Sequence, residues 1–199
     1  FFTPSGQARF VAITPAGPAS TVSSGRPLVM NTGRIRDQWH TMTRTAKAPR
    51  LMQHIDEPFV EVHPDDAARH GLEDGRLVEV IGEHGGYIGR VRLATGQQPG
   101  SLFVPMHWNA QYSHSGRVGS LIPRHVDPFS GQPESKHAVV AVRPFAATWF
   151  ATLVSREAIA WPPADYWARI PIESCRRIGM LRAHVHSSSR SWTCSNPCR

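Results

Sequence analysis

The chain has 199 residues, a formal net charge of +7, 40% hydrophobic and 19% charged residues, 17 Pro and 16 Gly. That suffices for one ordinary domain with residues to spare at each end; it is apolar enough to close a core, too weakly charged for a disordered chain and too rich in Pro and Gly for long helices. No apolar run approaches the roughly 20 residues that cross a bilayer, so a soluble protein with no membrane partner is expected.

In chain order, Phe1-Phe2-Thr3-Pro4-Ser5-Gly6 carries turn chemistry, Arg9 to Ile13 predicts a short strand, and Pro15 to Gly25 reads as a Pro/Ser/Gly linker wrapping over a neighbour. Pro27 to Asn31 predicts a strand that runs directly into the Gly turn Asn31-Thr32-Gly33-Arg34. Pro58 to Val62 is a further strand. His63 to Gly71 predicts a short helix, with Pro64 in its first turn, Asp65 and Asp66 near its N-terminus and Gly71 at its end. After the Asp74-Gly75 turn, Leu77 to Ile81 and Tyr87 to Leu93 form a hairpin about Gly85-Gly86, and Ser101 to Pro105 and Ala138 to Arg143 add two strands. Short strands with one small helix imply a closed or nearly closed β-barrel, because closure removes the unpaired edges.

Beyond Arg143, Trp149 to Ala160 predicts an amphipathic helix stopped at Trp161-Pro162-Pro163. The end of the chain lacks periodicity and predicts disorder. It also holds Arg176, Arg177, Arg182, Arg190 and Arg199 without an acid, so five of the seven net charges belong to it and the body is nearly balanced. The three cysteines, Cys175, Cys194 and Cys198, lie there as well, which leaves the body without a disulfide framework and points to a reducing compartment. Starting at Phe1 with neither Met nor leader, the chain reads as a piece of a longer protein.

The stretch richest in chemistry is Thr32-Gly33-Arg34-Ile35-Arg36-Asp37-Gln38-Trp39-His40-Thr41-Met42-Thr43-Arg44-Thr45. A Gly lets backbone approach a phosphate, Arg offers forked donors, hydroxyls add hydrogen bonds and an aromatic can lie on a planar ring, a combination suited to an anionic dinucleotide. A solvated surface loop is the competing reading. Pro105-Met106-His107-Trp108-Asn109 stands at a strand end, where function often sits, but a His–Trp pair packed in a turn explains it as well. In Asp127-Pro128-Phe129-Ser130-Gly131-Gln132-Pro133-Glu134-Ser135-Lys136, the lysine could reach a phosphate, or the segment is a charged turn. His184, His186, Cys194 and Cys198 supply zinc-type ligands, but their spacing matches no compact finger. There is no Walker loop, GxSxG elbow or paired helical carboxylate, so no independent catalytic centre is proposed by the residues.

These residues resemble a known family. The run from Asn31 to Thr45, then His54, Glu57-Pro58-Phe59-Val60, His63-Pro64-Asp65-Asp66-Ala67, Val104-Pro105-Met106-His107-Trp108 and Asp127 to Lys136 are similar, in the same order, to the C-terminal dinucleotide-binding domain of bacterial assimilatory nitrate reductases. The likeness runs from about Phe1 to Arg169. It implies a mostly β protein, a double-psi β-barrel with one or two short helices and a C-terminal extension. It divides the chain into a lead-in (1–25), a barrel (26–145), an extension (146–173) and a tail (174–199) that is disordered or non-native. The cofactor implied is bis-molybdopterin guanine dinucleotide with molybdenum, held by Asn31, Thr32, Gly33, Arg34, Arg36, Gln38, Trp39, His40, Thr41, His107 and Lys136, with Met106 near substrate. No catalytic or metal-ligating residue is expected in this segment, and an iron–sulfur cluster only in the region upstream.

The partners implied are the remainder of the reductase chain and an electron-donor protein or domain, in the cytoplasm. Two departures from the family stand out: Gly119 in Arg117-Val118-Gly119-Ser120-Leu121 replaces a customary Asn or Asp, and the sequence from Ser174 onward leaves the family pattern. The rival from another class is a basic β-barrel that binds nucleic acid, with Trp39, Trp108 and the arginines stacking on bases.

Overall fold

Short runs rich in apolar and β-branched residues build the strands. In β1 (Leu28–Gly33) Leu28, Met30 and Thr32 are buried, whereas Asn31 and Gly33 lie on the outward face. The computed structural model describes residues 1–10, 12, 14–147, 150–154 and 164–172. The other strands are β2 (Phe59–Val62), β3 (Leu77–Ile81), β4 (Gly86–Leu93), β5 (Ser101–Pro105) and β6 (Ala138–Pro144). Two short helices, α1 (Pro49–Met52) and α2 (Pro64–Arg69), complete the regular structure with 3-10 turns at Thr45–Lys47 and Val118–Leu121.

The strands close into a barrel in the order β1-β5-β2-β4-β3-β6 and back to β1. β1 is parallel to β5 and β2 to β4, while the remaining neighbours are antiparallel. Every strand therefore has two partners. Met30, Val60, Val62, Val78, Val80, Val91, Leu102, Val104 and Val140 fill the interior, each essentially inaccessible, and each such side chain contributes on the order of 2 kcal/mol of hydrophobic stabilisation. Tyr87 is buried among them and donates its hydroxyl to the Phe59 carbonyl (3.3 Å).

The barrel, the hairpin and the helix agree with the sequence. α2 begins at the His63 cap, whose Nδ1 accepts from the Asp65 amide, and ends at Gly71, whose φ of +63° is the left-handed conformation that a helix C-terminus favours. Two predicted elements differ. Arg9, Phe10 and Ala12, the described part of the expected Arg9–Ile13 strand, form none, because the closed barrel leaves no strand edge to pair with. Phe150 to Val154, the described part of the expected helix Trp149–Ala160, is non-helical. Phe150 is drawn to the Arg90 guanidinium (5.5 Å from ring centre), and the β-branched Thr152 and Val154 resist helix. Ser155 to Ala160, the tail from Ser174 and the His184/His186/Cys194/Cys198 set lie outside the described residues.

Two smaller clusters extend the core. Met42, Ala46, Met52, Trp108, Tyr112 and Ile170 pack under the loop that follows β1, and Leu77, Ile88, Tyr166 and Ala168 pack beside the barrel. Residues 164–172 join both: Arg169 N–H donates to the Tyr112 carbonyl and His114 N–H to that of Trp167, both at 2.9 Å.

Candidate functional site

Parallel β1 and β5 end side by side, Gly33 opposite Pro105, so the loops leaving them emerge at the same end of the barrel. The start of β6, Ala138 opposite Met30, brings the preceding loop and Lys136 to that end as well. The three stretches that the sequence singled out thus converge, as expected where parallel strands deliver their C-terminal ends to a common cleft.

The first loop is pinned from beneath. Gln38 is buried, its carbonyl accepting from the Thr45 hydroxyl (2.6 Å) and its amide donating to the Leu51 carbonyl (3.3 Å). His107 is buried at the end of β5. Its Nε2 accepts the Ile35 N–H (2.9 Å), which fixes the proton on Nδ1, and Nδ1–H donates to the His40 carbonyl (2.6 Å). Burial pushes the His107 pKa below the usual histidine value, and the nearby Arg34 charge acts in the same direction. Asn109 Nδ2 donates to the Thr41 carbonyl (2.9 Å). The chain turns through left-handed backbone at His40 (φ +44°) and Met42 (φ +62°), and the latter side chain is fully buried.

What the loop exposes is cationic. The Arg34 guanidinium lies 4.1 Å from the centre of the half-exposed Trp39 ring and has no carboxylate partner among the described residues. Arg36, by contrast, clasps Asp37 with Nε–Oδ1 of 3.0 Å and Nη2–Oδ2 of 3.1 Å, and His54 Nδ1 stands 2.7 Å from the same carboxylate. The Arg36 guanidinium and then the His54 hydrogen bond hold the Asp37 carboxyl below its ordinary range. Lys136 Nζ donates to the Thr32 carbonyl, and it lies 3.6 Å from where a Cβ on Gly33 would sit. The Thr32 side chain turns inward and donates to the Val104 carbonyl (2.7 Å).

The residues expected at the site therefore divide. Asn31, Gly33, Arg34, Trp39, His40, Thr41 and Lys136 are accessible at the shared end. Thr32, Gln38 and His107 have their side chains engaged within the protein, and Arg36 is accessible but paired. Met106 is half-buried against the barrel core, its N–H donating to the Gly33 carbonyl (3.0 Å). Gly119, the departure from the family, is exposed, and a Cβ there would meet only Arg117 Cγ at 4.0 Å, so the position has room for the missing side chain. Sequence reasoning overlooked Phe103, whose ring edge would lie 3.2 Å from a Gly33 Cβ, although its outward place between the inward Leu102 and Val104 was readable from strand alternation. It also overlooked Asp37 and His54 as the partners that engage Arg36.

The donor set fits a dinucleotide diphosphate. Arg34 and Lys136, which have no carboxylate partner among the described residues, the Thr41 hydroxyl and the Asn31 amide share the end where Gly33 keeps the surface clear of a side chain. Of the acids on the same loops, Asp37 is paired with Arg36, Asp127 accepts from the amides of Phe129 and Ser130 (3.1 and 2.7 Å), and Glu134 is turned to the amides of Ala19 and Ser20 (2.7 and 3.0 Å). Among the described residues no cluster of His, Cys, Asp or Glu could hold a metal ion, and no helix is long and apolar enough to cross a membrane.

Comparison with known proteins gives the family and the fold. A family model described as the molydopterin dinucleotide binding domain matches residues 28–139. A nitrate reductase of Klebsiella oxytoca is 48% identical over 187 residues, which is 94% of this chain and 21% of that protein. The assimilatory nitrate reductase catalytic subunit of Bacillus subtilis is 30% identical over 130 residues, 65% of this chain and 18% of that one. Formate dehydrogenase H of Escherichia coli is 27% identical over 147 residues, or 73% and 20%. Among solved structures, acetylene hydratase from Pelobacter acetylenicus shares the fold with a TM-score of 0.54 at 17% identity, over 60% of this chain and 18% of that one. The chain spans about a fifth of the length of these relatives.

Proposed function

Because the chain belongs to the molydopterin dinucleotide binding domain family, we propose that it is the segment of a molybdenum nitrate reductase that holds bis-molybdopterin guanine dinucleotide. The match over residues 28–139 carries this reading, because it covers all three loops gathered at one end of the barrel. The parallel β1/β5 and β2/β4 pairings support the double-psi connectivity. When bound, the cofactor supplies the redox chemistry by which nitrate, two electrons and two protons become nitrite and water.

The chain's own part is to bind and orient. Arg34 offers a free guanidinium fork to a diphosphate, Lys136 a point charge beside Gly33, and Thr41 and Asn31 neutral hydrogen bonds. Trp39 braces Arg34 through its ring face. Met106, at the step from β5 into its loop, is placed next to substrate in this reading. The remainder of the reductase chain, with an upstream iron–sulfur cluster, would supply the rest of the active site, an electron-donor protein or domain the electrons, and the cytoplasm the setting. The nucleic-acid alternative gains no support. Arg36, Arg69, Arg90 and Arg143 all pair with carboxylates, and Arg92 lies over the Phe59 ring at 4.0 Å.

Molybdenum and guanine nucleotide content of the purified full-length enzyme tests the reading. One molybdenum and two guanine nucleotides per chain is the expected stoichiometry for a bis-dinucleotide site; enzyme active on nitrate without them would overturn it.

A further inference from the structure

We propose that His107 is a positioning residue: a neutral, buried imidazole that holds the Arg34 loop in its shape through the loop's backbone without touching the bound group. This rests on the reading of the barrel end as the dinucleotide site. Between Arg34 and Met42 the loop's internal backbone hydrogen bonds are Gln38 N–H to Ile35 O (3.4 Å) and Met42 N–H to Trp39 O (3.0 Å). His107 spans the gap between them, since its two ring nitrogens take the Ile35 amide at one side and the His40 carbonyl at the other. Those partners flank Trp39, the ring that braces Arg34.

Three further observations point the same way. The imidazole is inaccessible to solvent, and with both nitrogens engaged it has no donor or acceptor left for a ligand. His40 adopts left-handed backbone without being Gly, a conformation that persists only where the surroundings determine it, and the bond from His107 is received at that residue's carbonyl. Asn109, two residues on, repeats the device on the Thr41 carbonyl. The stretch after β5 thus acts as a two-point template for the loop after β1.

The test uses full-length enzyme with His107→Phe, which keeps a ring but no hydrogen bonds, and His107→Gln, whose amide restores one acceptor and one donor. Hydrogen exchange is read in peptides covering residues 34–42 and, as a reference, the β3–β4 hairpin; molybdenum and guanine nucleotide are assayed per chain. For His107→Phe, exchange in 34–42 should rise about tenfold or more while the hairpin is unchanged, and cofactor content should fall severalfold. His107→Gln should return both to wild-type levels. Loop protection unchanged in His107→Phe, or lost equally in the hairpin, overturns the proposal. So does a His107→Gln enzyme that keeps loop protection yet loses cofactor, since the imidazole would then be a direct contact. If His107→Phe does not fold, the His107→Gln result decides alone. Wild-type enzyme without molybdenum or nucleotide would refute the site reading, while the exchange data would still decide whether His107 shapes the loop.

Discussion

Arg34 and Arg36 are two residues apart and chemically identical, yet only one is open to an anion. Arg36 already spends its fork on the adjacent Asp37, whereas among the described residues Arg34 meets an aromatic face and no carboxylate. A hydrogen bond to a charged group is worth about 1.5 to 3 kcal/mol. Arg34→Lys, which keeps charge and loses the fork, should therefore weaken cofactor retention by about tenfold or more in full-length enzyme, whereas Arg36→Lys should change it by less than about threefold. Equal retention in both variants would show that the Arg34 fork is not used. The sequence marked both arginines with Lys136 as facing a pyrophosphate; it could not show which was neutralised, because His54 reaches Asp37 only once α1 has turned the chain back. The inward engagement of Gln38 and His107 was hidden for a related reason: a polar side chain that binds a ligand and one that ties down backbone look alike until burial is known.

His107 also sets a pH dependence. Its pKa is lowered in the folded protein, so between the folded value and the ordinary value near 6.5 the unfolded chain binds a proton that the folded chain does not. Stability is thus fully present above about pH 6.5 and falls as pH drops through that window. Thermal unfolding of full-length enzyme should show a larger decrease in Tm from pH 7.5 to pH 5 for wild type than for His107→Gln, which has no titrating group there. Identical decreases would mean that His107 is not the group responsible.

At the scale of elements, the strands were legible from sequence nearly to the residue, Ser101 to Pro105 and the hairpin among them, because short apolar, β-branched runs bounded by turn residues are written into the residue order. Arg9, Phe10 and Ala12, the described part of the expected Arg9–Ile13 strand, form none, since strand propensity says nothing about whether an edge is free. Gly33 shows the same limit. Its constraint is not an unusual backbone angle, for it has no positive φ; it is the Phe103 ring 3.2 Å and Lys136 Nζ 3.6 Å from an added Cβ, both brought there by the register of β1 on β5 and β6. Gly33→Val should therefore displace Lys136 and Phe103 together, destabilising the fold by about 1 to 3 kcal/mol and lowering molybdenum and nucleotide content. Normal content with an unchanged unfolding midpoint would show that the neighbours yield without consequence.

Across the whole molecule, the barrel and residues 164–172 are locked by a buried polar network that no single stretch of sequence could reveal. Glu57, almost fully buried just before β2, accepts two hydrogen bonds from the Arg90 guanidinium on β4, one of them 2.9 Å, and one from the Tyr166 hydroxyl at 3.1 Å. Burial, reinforced by the Glu57 charge, holds the Tyr166 hydroxyl protonated far above its ordinary range, so it serves as a permanent donor. Tyr166 anchors the segment whose neighbours pair with Tyr112 and His114, and Tyr112 packs in the cluster that supports Met42 in the cationic loop. The site is thus tied at a distance to a contact 109 residues apart in sequence.

Removing one member of this network should have graded effects. Glu57→Gln leaves the Arg90 charge without its partner, and breaking a largely buried ion pair from one side costs about 3 to 5 kcal/mol. Tyr166→Phe removes a single donor while the carboxylate keeps its arginine, so about 1 to 2 kcal/mol is expected. In full-length enzyme, denaturant unfolding should rank wild type above Tyr166→Phe above Glu57→Gln. Hydrogen exchange in Tyr166→Phe should rise first in residues 112–114 and 164–172 and only afterwards in β1 and β5, because the barrel strands retain both of their neighbours. Simultaneous loss of protection in the barrel would show that the segment is part of the barrel's own cooperative unit, and an unfolding midpoint unaffected by Glu57→Gln would show that the network contributes no stability.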